Sequence, residues 1–303
     1  MRLFGWFRRT PDQTMTPQES PARRWTWLSG RRILANTPYV FPKDVAEGDR
    51  LDLQHHLLKV AAGGNYRAPI RQPSAILDVA CGTGIWGREM ALQFKHAQVI
   101  GFDIDRTPLD AALARLGPTG QFPPNFQFLE ADALQPFPFA DGQFDFTHAR
   151  LIGQFVPIAR WPALVAEMVR VTKRGGYVEL ADAESLTSPS QAFMFLVRAS
   201  QQLLAMRGLY AGAGGHLAEY LRQAGLTRVQ ERRVALGATR GLEREQRLLV
   251  ADLLAAYVHL QPIIVKAGIL SDVEYGRALD QAREDLPRVG AMMPMISAFS
   301  LRL

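Results

Sequence analysis

One cysteine, Cys81, stands in a chain of 303 residues. A lone thiol excludes an internal disulfide framework and any zinc or iron–sulfur site built from several cysteines. A radical enzyme of the three-cysteine kind is excluded with them, and a reducing, cytoplasmic setting is the expectation that follows. The six histidines form no HxxxH pair. His55 and His56 are adjacent, so on a helix they point about 100° apart, which is poor geometry for one metal ion. No metal site is expected. No internal repeat and no run that reads as a membrane span is found. Excess charge is also scarce over most of the chain. The net charge is +6, but residues 1–32 alone carry seven arginines (Arg2, Arg8, Arg9, Arg23, Arg24, Arg31, Arg32) against Asp12 and Glu19. The remainder is close to neutral, so overall basicity says little about it.

What is present is a core of ordinary richness, 48% hydrophobic, in a chain long enough for one large domain or two. The chain is organised around residues 75–105. An apolar run from Ala75 to Ala80 reads as a buried strand. It ends in Cys81-Gly82-Thr83-Gly84. A helical pattern follows with Ile85, Trp86, Met90 and Phe94 on one side, and a second strand runs from Gln98 to Ile104. Strand, glycine turn, helix, strand is half of a nucleotide-binding α/β sheet. At Gly82 or Gly84 a β-carbon is expected to stand where a ligand touches backbone, and glycine also tolerates the turn's dihedrals. Asp103, at the carboxyl end of the second strand, is placed to accept from both hydroxyls of a ribose.

Gly82, Gly84 and Gly87 spell GxGxxG with Asp103 at dinucleotide spacing, which taken alone would support a nicotinamide enzyme. Two further acids tilt the choice. Asp78 sits inside the first strand, where a carboxylate is costly unless a ligand ammonium or the turn's amides partner it. Asp132 follows a third strand, Phe126 to Leu129, and is placed to accept from an adenine amine.

Five stretches in order, LDVACGTG, GFDID, EADA, FPFADGQFDF and KRGGYVEL, resemble the motifs of class I S-adenosylmethionine-dependent methyltransferases over roughly residues 70–235. The resemblance implies a Rossmann-like α/β fold with a mostly parallel seven-stranded sheet, and S-adenosyl-L-methionine as cofactor. It implies a cofactor site of Asp78, Ala80, Gly82, Gly84, Asp103, Ile104, Asp132, Ala133 and Leu134. Residues 39–56 resemble the segment that precedes the core in LaeA-like methyltransferases and covers the cofactor, which adds Tyr39 to that site and Gln54 as a lid residue. For proton transfer the candidates are His148, at the end of a fourth strand (Gln143 to Ala149), and Glu179, in a fifth (Tyr177 to Ala181). The solvated or structural role of each stays open. FTHAR at the end of the fourth strand is unlike the Asn-Pro-Pro-Tyr run of amino methyltransferases acting on DNA or protein amides, which disfavours amino methylation of bases. A helical insertion between the sixth and seventh strands resembles the substrate-capping elements of small-molecule methyltransferases, and that resemblance implies a small-molecule acceptor. A regulatory protein that only binds the cofactor, and less readily a nicotinamide-dependent oxidoreductase, remain as alternatives.

The expected domain plan has three parts. Residues 1–32 form a disordered basic tail, whose aromatic–arginine start suits contact with an anionic membrane or nucleic acid. Residues 33–70 form an N-terminal cap, with a helix from Asp44. Residues 71–303 form the methyltransferase domain. Within it, helices are expected at 107–116, 160–174 (stopped by Gly175-Gly176), 190–210 and 215–224. A sixth strand is read over 226–236, and a helical insertion over about 241–290, in which Ser271-Asp272-Val273-Glu274 is a capping box. A last strand carries Met295, Phe299, Leu301 and Leu303.

Overall fold

A computed structural model describes residues 25–28, 31–34, 45–115, 121–237 and 243–303. In chain order these form a hairpin of β1 (Trp25–Leu28) and β2 (Arg31–Leu34), then α1 (Val45–Ala62), β3 (Ala75–Val79), α2 (Ile85–Gln93), β4 (Gln98–Asp103), α3 (Thr107–Arg115), β5 (Phe126–Glu130), β6 (Phe144–Arg150), α4 (Trp161–Val171), β7 (Thr172–Ala183), α5 (Gln191–Met206), α6 (Leu217–Gln223), β8 (Gln230–Leu236), α7 (Glu243–Lys266), α8 (Asp272–Val289) and β9 (Met293–Leu301).

Seven strands form one sheet in the order β5-β4-β3-β6-β7-β9-β8. The first five run parallel, and β9 runs antiparallel to both β7 and β8. Strand order reverses between β3 and β6, where an open α/β sheet offers a ligand crevice beyond the carboxyl ends of its strands. One face of the sheet packs Leu77, Val79, Phe102 and Leu180 against α4 and α6. The other packs Ile76, Val99 and Phe146 against Trp86 and Met90 of α2. A third cluster joins Leu57 and Leu58 of α1 to α5, α7, α8 and the start of β9. Since β9 is antiparallel, its start lies beside the end of β7, with Ala183 opposite Met295. The cluster therefore stands at the carboxyl end of the sheet.

Several expectations are corrected. The β1–β2 hairpin places regular structure inside the stretch 1–32 read as a tail; its Trp25, Thr26, Trp27 and Ile33 are strand formers. Residues 1–24, with the expected membrane or nucleic-acid contact, lie outside the described residues. Helix α4 stops at Val171, not at the glycines. Gly175 (φ 79°) and Gly176 instead form an irregularity inside β7, between the pairings of Thr172 and Tyr177 with β6. A β-carbon at Gly176 would come within 2.8 Å of the Asp145 carbonyl. The sixth strand starts at Gln230 rather than Leu226, because Leu226 is buried against α4 and α6 instead. Helix α7 is long and apolar enough to cross a membrane by length and composition, yet over half of its most apolar stretch is buried, and its apolar side packs on α1, α5 and α8. The capping box at Ser271 and Glu274 is formed as the sequence predicts.

Candidate active site

The turn after β3 is shaped by three left-handed residues: Ala80 (φ 57°), Gly82 (φ 56°) and Gly84 (φ 71°). Ala80 pays the strain that glycine avoids. The turn is fixed to its neighbour strand by Cys81 N–H to the Phe102 carbonyl (3.0 Å) and Gly82 N–H to Asp103 Oδ2 (3.0 Å). The glycines have different jobs. A β-carbon on Gly82 would meet nothing within 4 Å, so the turn presents bare backbone to open space there. At Gly84 it would meet Leu109 Cδ1 at 2.7 Å, and at Gly87 Phe126 Cε2 at 2.4 Å. Those two have a packing role, letting α2 sit close to its neighbours, beside the ligand role expected of Gly84.

Asp103, besides accepting from Gly82, accepts from Asp105 N–H through Oδ1 (3.2 Å). Ile104 follows it, half-buried. Asp132 Oδ1 accepts from Leu134 N–H (2.8 Å) and bends the chain into a tight turn, with Ala133 buried beneath. Arg160 donates to the Leu134 carbonyl. The fold thus brings Ala80, Gly82, Asp103, Ile104, Asp132, Ala133 and Leu134 to the ends of β3, β4 and β5. Tyr39 lies outside the described residues.

The acids and histidine of the central strands lie deeper. Asp78, His148 and Glu179 are in register across β3, β6 and β7. All three are buried, with exposures of 4%, 1% and 1%. His148 is stacked on Trp86 at 4.0 Å between ring centroids and 3° between planes. Its Nδ1 is 3.6 Å from Asp78 Oδ1. Burial pushes its pKa down to about 3. Glu179 accepts from the amides of Arg67 (2.8 Å) and Ala68 (2.7 Å), so its carboxylate holds the loop before β3. Burial raises its pKa nonetheless. The sequence showed that both lie on strands, but not that both are under α2 and that loop. Burial also pushes Asp78 up to about 7, and its Oδ2 has no hydrogen-bond partner.

Arg150, the last residue of β6, was not singled out from the sequence. It points to the same side as His148, two residues earlier. Its Nη2 is 2.8 Å from His55 Nδ1 of α1. Because guanidinium only donates, that ring nitrogen accepts and the proton sits on Nε2, which faces Glu89 Oε2 at 3.2 Å. Burial lowers the His55 pKa. Glu89 is opposed by burial, but hydrogen bonds from His55, Lys59 and Asn65 outweigh it and hold its pKa low. Helix α1 also reaches the glycine turn, where Thr83 Oγ1 donates to Asp52 Oδ1 (2.7 Å). Near its start, Arg50 pairs with Glu47 and with Asp252 of α7. Gln54, expected as a lid residue, lies close enough to Asp252 to favour its ionised form, against the rise that burial imposes.

Over residues 76–176 the chain matches the family model of a methyltransferase domain. It is 28% identical over 270 residues to methyltransferase str2 of Strobilurus tenacellus, covering 82% of this chain and 91% of that one. It is 34% identical over 149 residues to the secondary metabolism regulator LAE1 of Cochliobolus heterostrophus, covering 46% of this chain and 44% of the regulator. The chain spans about half the length of other curated relatives that it matches, methyltransferase str3 of Strobilurus tenacellus among them. In fold it is similar to a structure assigned to a Bacillus halodurans methyltransferase, at TM-score 0.50 and 17% identity, covering 84% of this chain and 100% of that one.

Proposed function

We propose that this chain, which belongs to the class I S-adenosylmethionine-dependent methyltransferases, moves a methyl group to a small-molecule acceptor. The observation that carries the reading is the pairing of a bare turn with acids at the strand ends. Gly82 offers unobstructed backbone, Asp103 stands beside it, and Asp78 Oδ2 waits unpartnered in the strand beneath. These residues fit an adenosyl amino acid: Asp103 for the ribose, Asp132 with Ala133 and Leu134 for the adenine, Asp78 for the ammonium. S-adenosylmethionine, when bound, supplies a methyl group already activated on sulfonium, so transfer calls mainly for alignment.

The chain's own contribution is position and exclusion of water. Helix α1 is tied to the turn through Asp52, and the cluster of α1, α5, α7 and α8 stands at the carboxyl end of the sheet. Such a roof suits a compact acceptor better than a macromolecular one. We assign His148 and Glu179 to holding this architecture rather than to proton transfer, since Glu179 is engaged by the Arg67 and Ala68 amides and His148 is stacked under Trp86. A regulatory role is the second reading, favoured by the likeness to LAE1.

The test is thermal unfolding of the wild type and Asp103→Ala with S-adenosylmethionine, S-adenosylhomocysteine or NAD. Ligand at about 100 times its dissociation constant adds roughly 2.7 kcal/mol, a shift of several degrees. A shift with the adenosyl ligands that Asp103→Ala removes supports the site; a shift with NAD alone overturns it. Formation of S-adenosylhomocysteine across a panel of small acceptors then separates the enzyme from a regulator.

A further inference from the structure

The crevice between β3 and β6 holds two opposite charges that are left incompletely paired. Asp78, on β3, is 4% exposed, and its Oδ2 accepts no hydrogen bond. An orphaned carboxylate oxygen at that depth costs free energy unless a cation arrives. Arg150 closes β6 on the same side of the sheet. Among the described residues it makes a single side-chain hydrogen bond, Nη2 to His55, although a guanidinium carries five N–H donors. It is half-buried, so it is not sealed from solvent as Asp78 and His148 are. The two charges feel each other but are not hydrogen-bonded. An anchored guanidinium near an orphaned carboxylate, at the point where strand order reverses, matches an α-amino acid: carboxylate to the arginine, ammonium to the aspartate.

Resting on the reading of this crevice as the methyl-donor site, we propose that Arg150 is its carboxylate-binding residue, oriented by His55 and working with Asp78 as a zwitterion clamp. His55 makes the arrangement specific. Its neutral ring accepts from one edge of the guanidinium and so holds the plane of the fork. Lys59 does not compete for the incoming carboxylate, because it is paired with Glu89 at 2.7 Å. Glu179, which also bears on Arg150, is engaged by the Arg67 and Ala68 amides. Arginine is suited to the task because two parallel N–H bonds can meet both oxygens of a carboxylate. A second consequence is structural. The residue that grips the donor is tied to α1, the same helix that reaches the glycine turn through Asp52, so donor binding and seating of α1 support each other.

Calorimetric titration of the full chain with S-adenosylhomocysteine and with its decarboxylated analogue tests this. A charge-assisted bond lost from the site costs about 10- to 100-fold in affinity. Wild type should bind the analogue weaker by that factor. Arg150→Gln should lose the same factor for S-adenosylhomocysteine and little or nothing for the analogue, and Arg150→Lys should recover part of it. Equal affinity of wild type for the two ligands overturns the proposal and needs no variant to fold. So does an Arg150→Gln protein, shown folded by circular dichroism, that binds S-adenosylhomocysteine as the wild type does. Failure of wild type to bind either ligand would sink the donor-site reading itself, and this assignment with it.

Discussion

Thr83 Oγ1 donates a hydrogen bond to Asp52 Oδ1 at 2.7 Å, joining the glycine turn to a helix 31 residues earlier in the chain. The other oxygen of Asp52 accepts from Arg115 of α3, also at 2.7 Å. One carboxylate therefore fastens the turn, the covering helix and the helix after β4. Asp52→Ala should cost about 1–2 kcal/mol of stability and weaken binding of S-adenosylhomocysteine several-fold through loss of the seated α1. Paired chemical denaturation and calorimetry check this; unchanged affinity would show that α1 plays no part in holding the donor.

Glu179 anchors the loop before β3 through the Arg67 and Ala68 amides, and that loop in turn receives Trp86 Nε1 on the Asn65 carbonyl at 2.8 Å. Glu179→Ala should destabilise by about 2–3 kcal/mol, a fall in Tm of roughly 4–9 °C. Turnover per folded molecule should stay within about threefold. A loss of 100-fold or more in protein still folded would make Glu179 a proton acceptor after all.

His148 is held neutral by burial, with its pKa near 3 instead of 6.5. Between those values the unfolded chain binds the proton and the folded one does not. Its contribution to stability is therefore complete above pH 6.5 and is lost as pH falls toward 3. Two measurements follow. The pH–rate profile between 5 and 8 should contain no inflection that His148→Gln removes. The same variant should lose less stability than wild type on acidification from pH 6.5 to 4.

Asp78 behaves in the opposite sense. Its pKa is raised from 3.8 to about 7 by burial, so the folded state holds the extra proton. Stability from this group is complete below pH 3.8 and is lost as pH rises through 7. Asp78→Asn should be more stable than wild type at pH 8 by about 1–3 kcal/mol while binding S-adenosylhomocysteine at least tenfold more weakly. Wild-type affinity should also rise with pH from 6 to 8 as the carboxylate ionises to meet the ammonium. A variant less stable at pH 8 would show that the carboxylate is already compensated without ligand.

The glycines separate binding from packing. Gly87→Ala drives a methyl into Phe126 and should cost about 1–3 kcal/mol with donor affinity intact. Gly82→Ala has space around it, so it should cost only about 1 kcal/mol for its left-handed backbone while lowering donor affinity markedly. Measuring both variants by denaturation and titration checks the division; equal loss of affinity in the two would remove it.

The sequence by itself determined the elements and the surface of the crevice. Short-range signals suffice for these: apolar runs for β3 and β4, the glycine turn after β3, a capping box at Ser271, and acids placed just after the ends of strands, as with Asp103 and Asp132. It also marked Asp78 as an acid in need of a partner, because a carboxylate inside an apolar run announces its own cost, and the fold leaves its Oδ2 without a hydrogen bond. Tertiary structure alone decided which polar groups are covered and engaged by the fold and which keep an unpartnered atom. His148 and Glu179 carry chemistry in principle, but α2 and the 65–68 loop cover them, and nothing local to FTHAR or YVEL encodes that cover. Gly84 and Gly87 share a motif with Gly82, yet Leu109 and Phe126 occupy the space beside them. Arg150 and His55 are 95 residues apart, and only the seating of α1 against the sheet brings them together. A side chain's role is set by burial and by its partners, and both depend on neighbours supplied from distant parts of the chain.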